Sequence, residues 1–496
     1  MDTMDTAKRR IHPGLLLAVL LTGPFMAQAD ATIVNVAVPS VRAGLGASGA
    51  VLQLVVGGYL IAVAMLLITG ARLGQAYGYR RAFVAGVSVF TLASLACGLA
   101  PDPAVLVIAR ILQGAGAGLM FPQTMTGIQL HFTGQDRVRA IGRYALVLSS
   151  GAVSGQILGG VLVSADVAGL GWRAVFGVNV PVGVAAVAAA LRFLPADGGR
   201  EARLDLAGAG LLAVAALLLV VPLTLGSSAG WPPWAWACLA ASLPATAAFA
   251  AVENRVARKG RPPLLTMDLL RIPAVRWGLV TMAVATSTYY ALMFTLAQYL
   301  QGGLGRSPVV SGLTLVPWVA AFGLAGQVVR RLGARRWVPA AGCLLLAVSF
   351  AGISAGILGG LGGLGGLGGE ALLVPLFGLG GLGLGIEFAA QAGRLTAAVE
   401  PRYAADISGA SSTLIQVGGA IGVAAIGALY LVGTRGSGAH ATVSAHAFAV
   451  TTSVLAGVAL LAAAAAWRAS APAPSRITRA ERAPVASFGP RSRVGS

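Results

Sequence analysis

The feature that most constrains this chain is a succession of apolar stretches, each long enough to cross a lipid bilayer, repeated from one end to the other. They fall at 14–38, 50–71, 81–100, 104–129, 141–164, 173–194, 206–226, 233–252, 276–300, 309–329, 337–358, 371–393, 407–432 and 446–467. Roughly 20 apolar residues span the ~30 Å hydrocarbon core as a helix, and a helix satisfies its own backbone polar groups there. The expected fold is therefore an all-α membrane protein with fourteen spans. A soluble globular fold is excluded by 57% hydrophobic and only 10% charged residues.

The formal charge of +19 raises the possibility of a nucleic-acid binder, but the positions of the basic residues argue against it. Arg and Lys gather in the N-terminal arm, in alternate loops and in the C-terminal tail. Only Arg42, Arg173, Arg306 and Arg435 fall on the other side, and Arg110 lies within a span. That asymmetry places both termini in the cytoplasm. Trp231, Trp234 and Trp236 cluster at one expected outer interface as anchors. Cys97, Cys238 and Cys343 lie in apolar segments without metal-type spacing and read as packing residues. Lys8-Arg9-Arg10, the following apolar run and Ala27-Gln28-Ala29 imitate a signal peptide, yet the run continues through Ile33–Val41 as one span.

Inside the spans acids are scarce. Asp30 and Glu387 are the two carboxylates that fall within long apolar stretches, where an ionised side chain is costly and marks function by default. Asp30 is followed by Asn35, a neutral polar neighbour, and by Pro39, which weakens the helix end. Glu387 follows Gly378, Gly380, Gly381, Gly383 and Gly385, a run that loosens its helix. Three roles stand open for it: a second proton site, a counter-charge for a cationic substrate, or a structural partner of Arg394 two turns on.

Gly78-Tyr79-Arg80-Arg81 after the second span and Gly333-Ala334-Arg335-Arg336 after the tenth share a Gly-x-Arg-Arg pattern. Two related halves follow, with spans 1–6 matching spans 9–14 and spans 7 and 8 inserted. The expected division is an N-terminal arm (1–13), a first six-helix bundle (14–194), the inserted pair (195–253), a basic linker (254–275), a second six-helix bundle (276–467) and a basic tail (468–496). Pro262-Pro263 breaks the linker, residues 358–369 repeat Leu-Gly-Gly, and the tail has a composition that does not pack.

The segment Asp30-Ala31-Thr32-Ile33-Val34-Asn35-Val36-Ala37-Val38-Pro39 closely resembles the first-helix signature of the fourteen-helix drug:proton antiporters of the major facilitator superfamily. Arg110-Ile111-Leu112-Gln113-Gly114-Ala115-Gly116-Ala117-Gly118 is similar to that family's motif with a membrane-embedded arginine, for which Asp30 is the candidate partner. Gly70-Ala71-Arg72-Leu73-Gly74-Gln75-Ala76-Tyr77-Gly78-Tyr79-Arg80-Arg81 looks like the loop motif between helices 2 and 3. It departs from the pattern at Gln75 and Ala76, where the family has an acid and a base. Gly151, Gly155, Gly159 and Gly160 resemble the antiporter motif of helix 5, with Gln156 where the wider motif has proline. Gly171–Pro181 also resembles the fourteen-helix branch and reads as an anchor for the sixth span.

The resemblance implies two six-helix bundles that alternately open a central cavity, no cofactor beyond a proton gradient, a bacterial cytoplasmic membrane and a monomeric carrier. Asp30, Arg110 and Glu387 are the candidate proton-coupling residues. Asn35, Tyr59, Gln113, Tyr289, Tyr290, Phe294, Gln298 and Gln391 are candidates for the wall of a lipophilic cavity. Gating is assigned to Gly70, Gly74, Gln75, Gly78, Arg80, Arg81, Gly151, Gly155, Gln156, Gly159 and Gly160. The expected function is proton-coupled export of lipophilic drugs or secondary metabolites, cationic ones among the candidates, with lipids and protons as the other partners and no nucleic acid. A transporter-like sensor without turnover and an intramembrane aspartyl hydrolase are the rivals. No phosphate-binding loop is present to support ATP-driven pumping.

Overall fold

The computed structural model describes residues 13–197, 206–226, 229–259, 266–333, 335–359, 367–400, 403–434 and 440–470. The basic arm, Pro262-Pro263, most of the Leu-Gly-Gly repeat and nearly all of the tail lie outside these residues. Fourteen helices follow in order: α1 (Pro13–Leu45), α2 (Gly49–Tyr77), α3 (Tyr79–Gly98), α4 (Pro103–His131), α5 (Gly134–Ala165), α6 (Gly171–Phe193), α7 (Leu206–Leu225), α8 (Pro233–Arg258), α9 (Pro273–Gly303), α10 (Pro308–Leu332), α11 (Val338–Leu358), α12 (Leu367–Ala397), α13 (Ala404–Gly433) and α14 (His440–Ala469). Thirteen are long and apolar enough to span a membrane, and α7 contributes a shorter apolar stretch, Gly210–Leu225.

Several boundaries differ from those read in the sequence. Helix α1 runs through both Pro24 and Pro39 to Leu45, so Pro39 does not end it. Helix α8 continues past the expected linker boundary to Arg258 and buries Glu253, a third buried acid among the described residues and one that the hydropathy pattern placed at a loop. Helix α12 begins at Leu367, inside the stretch expected to form a loop.

Local chemistry explains where the helices start. Ser48 accepts from Val51 N, Asp102 from Ala104 N and Val105 N, and Ser307 from Val310 N, satisfying first-turn donors of α2, α4 and α10. At the opposite face the repeated Gly-x-Arg-Arg has a conformational cause. Gly78 and Gly333 end α2 and α10 at φ values of 92° and 72°, a region closed to most side chains.

Helices α1–α6 and α9–α14 form two bundles with matching internal packing. Pairs α1/α5, α2/α4 and α3/α4 recur as α9/α13, α10/α12 and α11/α12. The correspondence is visible residue by residue. Gly86 lies on the backbone of Gly116 and Met120, as Gly342 lies on that of Gly383 and Glu387; Gly114 meets Tyr59, as Gly381 meets Trp318. The inserted pair α7/α8 rests through α7 on both α2 and α13.

The face on which α1 begins is called the near face and its opposite the far face. The bundles meet along two seams, α2 with α13 and α5 with α10, and they interlock in the far half. Gln53 Nε2 donates to Val423 O and Ala424 O, Gly49 lies under Leu431, and Gly160 rests on Pro308 and Val309. A third far-half tie runs from Gln301 Nε2, in the π-helical last turn of α9, to Val36 O of α1 at 2.8 Å. In contrast, the near-face ends of α5 and α10 are largely exposed. The inter-bundle hydrogen bonds just described all lie in the far half.

Candidate functional site

Asp30 sits mid-way along α1, and Arg110 projects towards it from the second turn of α4. Arg110 Nη1 is 2.5 Å from Asp30 Oδ2, and both residues are 1% exposed. The other carboxylate oxygen, Oδ1, accepts from Gln113 Nε2 at 2.8 Å and from Asn179 Nδ2 at 2.9 Å. Each donor is itself held. Gln113 and Asn179 both also donate to Ser94 Oγ, whose own hydroxyl donates to Phe176 O. Gln113 Oε1 accepts from Arg110 Nη1 at 2.8 Å and from the Cys97 thiol at 3.7 Å.

Arg110 is satisfied on its remaining sides. Its Nε donates to Val55 O, and its guanidinium carbon lies 4.3 Å from the centre of the Tyr59 ring, a cation–π distance. Tyr59 is fixed in turn by donating its hydroxyl to Ala27 O at 3.0 Å. Four helices of the first bundle, with Ser94 from α3, thus converge on one ion pair. Charge-assisted bonds of this kind are short and strong, and they are the means by which a buried pair recovers its desolvation cost. Among the described residues this is the one buried salt bridge; the Arg139–Asp136 and Arg271–Asp268 pairs are exposed.

The structure regroups several residues singled out in the sequence. Gln113 and Tyr59, read as cavity wall, belong to the Asp30–Arg110 cluster. Asn179, read as part of an anchoring motif, is a direct ligand of Asp30. Asn35 is turned away from the cluster: its Nδ2 donates to Ala31 O and its Oδ1 has no partner among the described residues. Ser94 carried no sequence signal, because a serine in an apolar run ordinarily bonds its own helix. Asn179 carried one, being an amide inside an apolar stretch.

On the second bundle, Tyr289 stacks on Trp318 at 6.1 Å, and Tyr290 donates to Gln416 Oε1 at 3.1 Å. Phe294 is packed against Gly427, and Gln391 against Gly278. Gln298 Nε2 and Gln391 Oε1 are buried without partners among the described residues. Glu387 is fully buried, and Arg394 forms no ion pair with it among the described residues. The positions matching Arg110 and Gln113 are Phe377 and Gly380, so the second bundle has no copy of the charged cluster.

The gating residues divide similarly. Gly155 lets α5 lie directly on Ala29 and Thr32 of α1, and Thr32 Oγ1 donates to Ala152 O across that crossing. Gly151 and Gly159 continue the same contact, while Gly160 belongs to the inter-bundle seam. Gln156 is buried in that seam, its Nε2 3.1 Å from Met293 Sδ of α9. Gly70 and Gly74 admit Gln123 of α4, which donates to Gly70 O at 2.7 Å. Gln75 is exposed and makes no side-chain hydrogen bond among the described residues, so it caps no neighbouring helix. The acid at this turn comes from elsewhere in the chain. Asp197, just beyond α6, accepts from Tyr79 N at 2.9 Å and from Arg80 N at 3.4 Å. Arg80 donates to Leu191 O, tying α3 to the end of α6, whereas Arg81 is exposed.

The sequence model of the Major Facilitator Superfamily matches residues 20–423, reaching from α1 through the inserted pair into α13. The chain belongs to this superfamily. It is 36% identical over 439 residues to a probable actinorhodin transporter of Streptomyces coelicolor, covering 86% of this chain and 74% of that one. It is 35% identical over 443 residues to the cephamycin export protein CmcT of Amycolatopsis lactamdurans, covering 87% of each. In fold it is similar to the crystal structure of a bacterial homologue of the human lysosomal transporter Spinster, with a TM-score of 0.65 at 16% identity, covering 92% of this chain and 96% of the other. This superfamily member is therefore a multi-pass transporter of a bacterial membrane rather than an enzyme.

Proposed function

We propose that the chain exports lipophilic small molecules of the antibiotic or secondary-metabolite class in exchange for protons, with the near face towards the cytoplasm. The buried Asp30–Arg110 pair carries this reading. The clustering of Arg and Lys on near-face loops supports the orientation. The relatives named for actinorhodin and cephamycin support the substrate class.

The coupling step follows from the cluster's geometry. A proton arriving on Asp30 Oδ2 displaces Arg110 Nη1 and removes the counter-charge, leaving the guanidinium with Val55 O, Gln113 Oε1 and the Tyr59 ring. The attraction holding α1 to α4 is then lost. Val36, less than two turns along α1, accepts the far-half bond from Gln301, so a shift of α1 reaches the closed seam directly. For exchange the proton is taken up while the far side is open and is released to the near face once the far side has closed, which re-forms the pair seen here. Substrate meets the near side, between the bundles, where the half-buried Tyr289 offers an aromatic surface.

The test is flux in proteoliposomes under an imposed pH gradient. Uphill movement of a lipophilic compound driven by the gradient, abolished by Asp30→Asn in protein that still folds, supports exchange. Gradient-driven flux undiminished in Asp30→Asn removes the cluster from the mechanism.

A further inference from the structure

Glu387 lies on α12 with no exposed surface and with neither carboxylate oxygen bonded to a donor among the described residues. Among the described residues its surroundings supply no counter-charge. From α11 the facing titratable group is the buried Cys343; beside it Gly342 presses on the backbone of Gly383 and Glu387. From α10 come the apolar Phe322, Ala325 and Trp318, which meet Gly385 and Gly381; from α9, Gly278 meets Gln391. On its own helix Arg394 is the nearest base, two turns away and in no ion pair with it.

The contrast with the first bundle isolates what is unusual. At the matching crossing of α3 and α4, the equivalent of Glu387 is Met120, fully buried and apolar, with Gly86 lying on it as Gly342 lies on Glu387. The fold therefore asks for a side chain of this size here but not for an acid. An ionised carboxylate without donor or counter-charge is far costlier in such a place than a neutral carboxylic acid.

We propose that Glu387 is a second proton-carrying site, protonated in the conformation seen here and discharged when the close crossing of α11 and α12 loosens. The two acids then have complementary states. Asp30 is ion-paired with Arg110 while Glu387 is neutral, so neither acid carries an uncompensated charge. Gly381, Gly383 and Gly385 make α12 smooth against both neighbours, the condition under which it moves without repacking side chains. The bound proton stands independently of the export reading above; its part in transport rests on that reading.

Infrared titration of the purified full chain tests the proton directly. A carboxylic-acid carbonyl band from a dry site is expected at neutral pH in the native protein and in Asp30→Asn, and it disappears in Glu387→Met and Glu387→Gln. Methionine is the residue the matching crossing already accommodates, and glutamine preserves the shape, so loss in both is not a folding artefact. A native spectrum without the band, or a band that persists in both Glu387 variants, overturns the proposal. With a compound whose uphill export Asp30→Asn abolishes, Glu387→Met still drives export but moves one proton fewer per molecule. An unchanged proton ratio removes Glu387 from coupling.

Discussion

Replacing Arg110 with methionine strands a carboxylate at the centre of the first bundle, and the size of the penalty can be worked out. Asp30 keeps its two Oδ1 donors, Gln113 and Asn179, but Oδ2 loses its partner. Removing one member of a buried ion pair costs about 3–5 kcal/mol when the other stays charged. The stranded acid can instead take up a proton. Drawing it from water at pH 7 onto a carboxyl of ordinary acidity, about 3.9, costs ~4 kcal/mol at ~1.4 kcal/mol per pH unit, and at pH 5 only ~1.5 kcal/mol. The sign is fixed by linkage: the folded variant binds a proton that its unfolded chain does not bind at pH 7, so acidification favours the folded variant. Denaturation in detergent at the two pH values therefore shows a large deficit at pH 7 that more than halves at pH 5. Adding Asp30→Asn removes the stranded charge and recovers most of the loss without recovering transport. A deficit equal at both pH values, or a double variant as unstable as Arg110→Met, would refute the argument.

Asn179→Ala removes one of three donors to Asp30, a bond of the kind worth about 1.5–3 kcal/mol, and lowers stability by that much in the same denaturation assay. Gly155→Ala places a methyl against the backbone of Ala29 and the hydroxyl of Thr32, costing about 1–3 kcal/mol by the same denaturation assay and slowing flux. Gly78→Ala forces a side chain into a positive-φ turn at a cost of about 1–2 kcal/mol, seen as a lowered melting midpoint. Gln75→Ala leaves both flux and stability within error, because the exposed amide has no partner among the described residues.

Much of the architecture was legible because the membrane imposes a single length rule on every span. The same rule misplaced Glu253, since a helix extends beyond its apolar core and hydropathy ends where the apolar stretch does. Asp30 and Arg110 stood out in the sequence because charge is rare at that depth, and the ion pair joins them. Ser94 did not stand out, and Asn179 did so only within an anchoring motif, because polarity in a neutral side chain acquires meaning only from what lies opposite. Gln113 and Tyr59 were recognised as interior groups but given to the wrong surface, for a helix read as a string does not reveal which neighbour each face meets. The repeat showed itself in the Gly-x-Arg-Arg turns, whereas the match between Glu387 and Met120 needed the contacts of Gly342 and Gly86.

The inserted pair gives the molecule two unlike flanks. Where α7 leans on α2 and α13 at once, the joint between the halves is clasped from outside; where α5 meets α10, no comparable strap crosses it among the described residues. Motion between the halves is therefore less restrained at the second joint, and labels placed near Ser149 and Gly323 would be the first to register it.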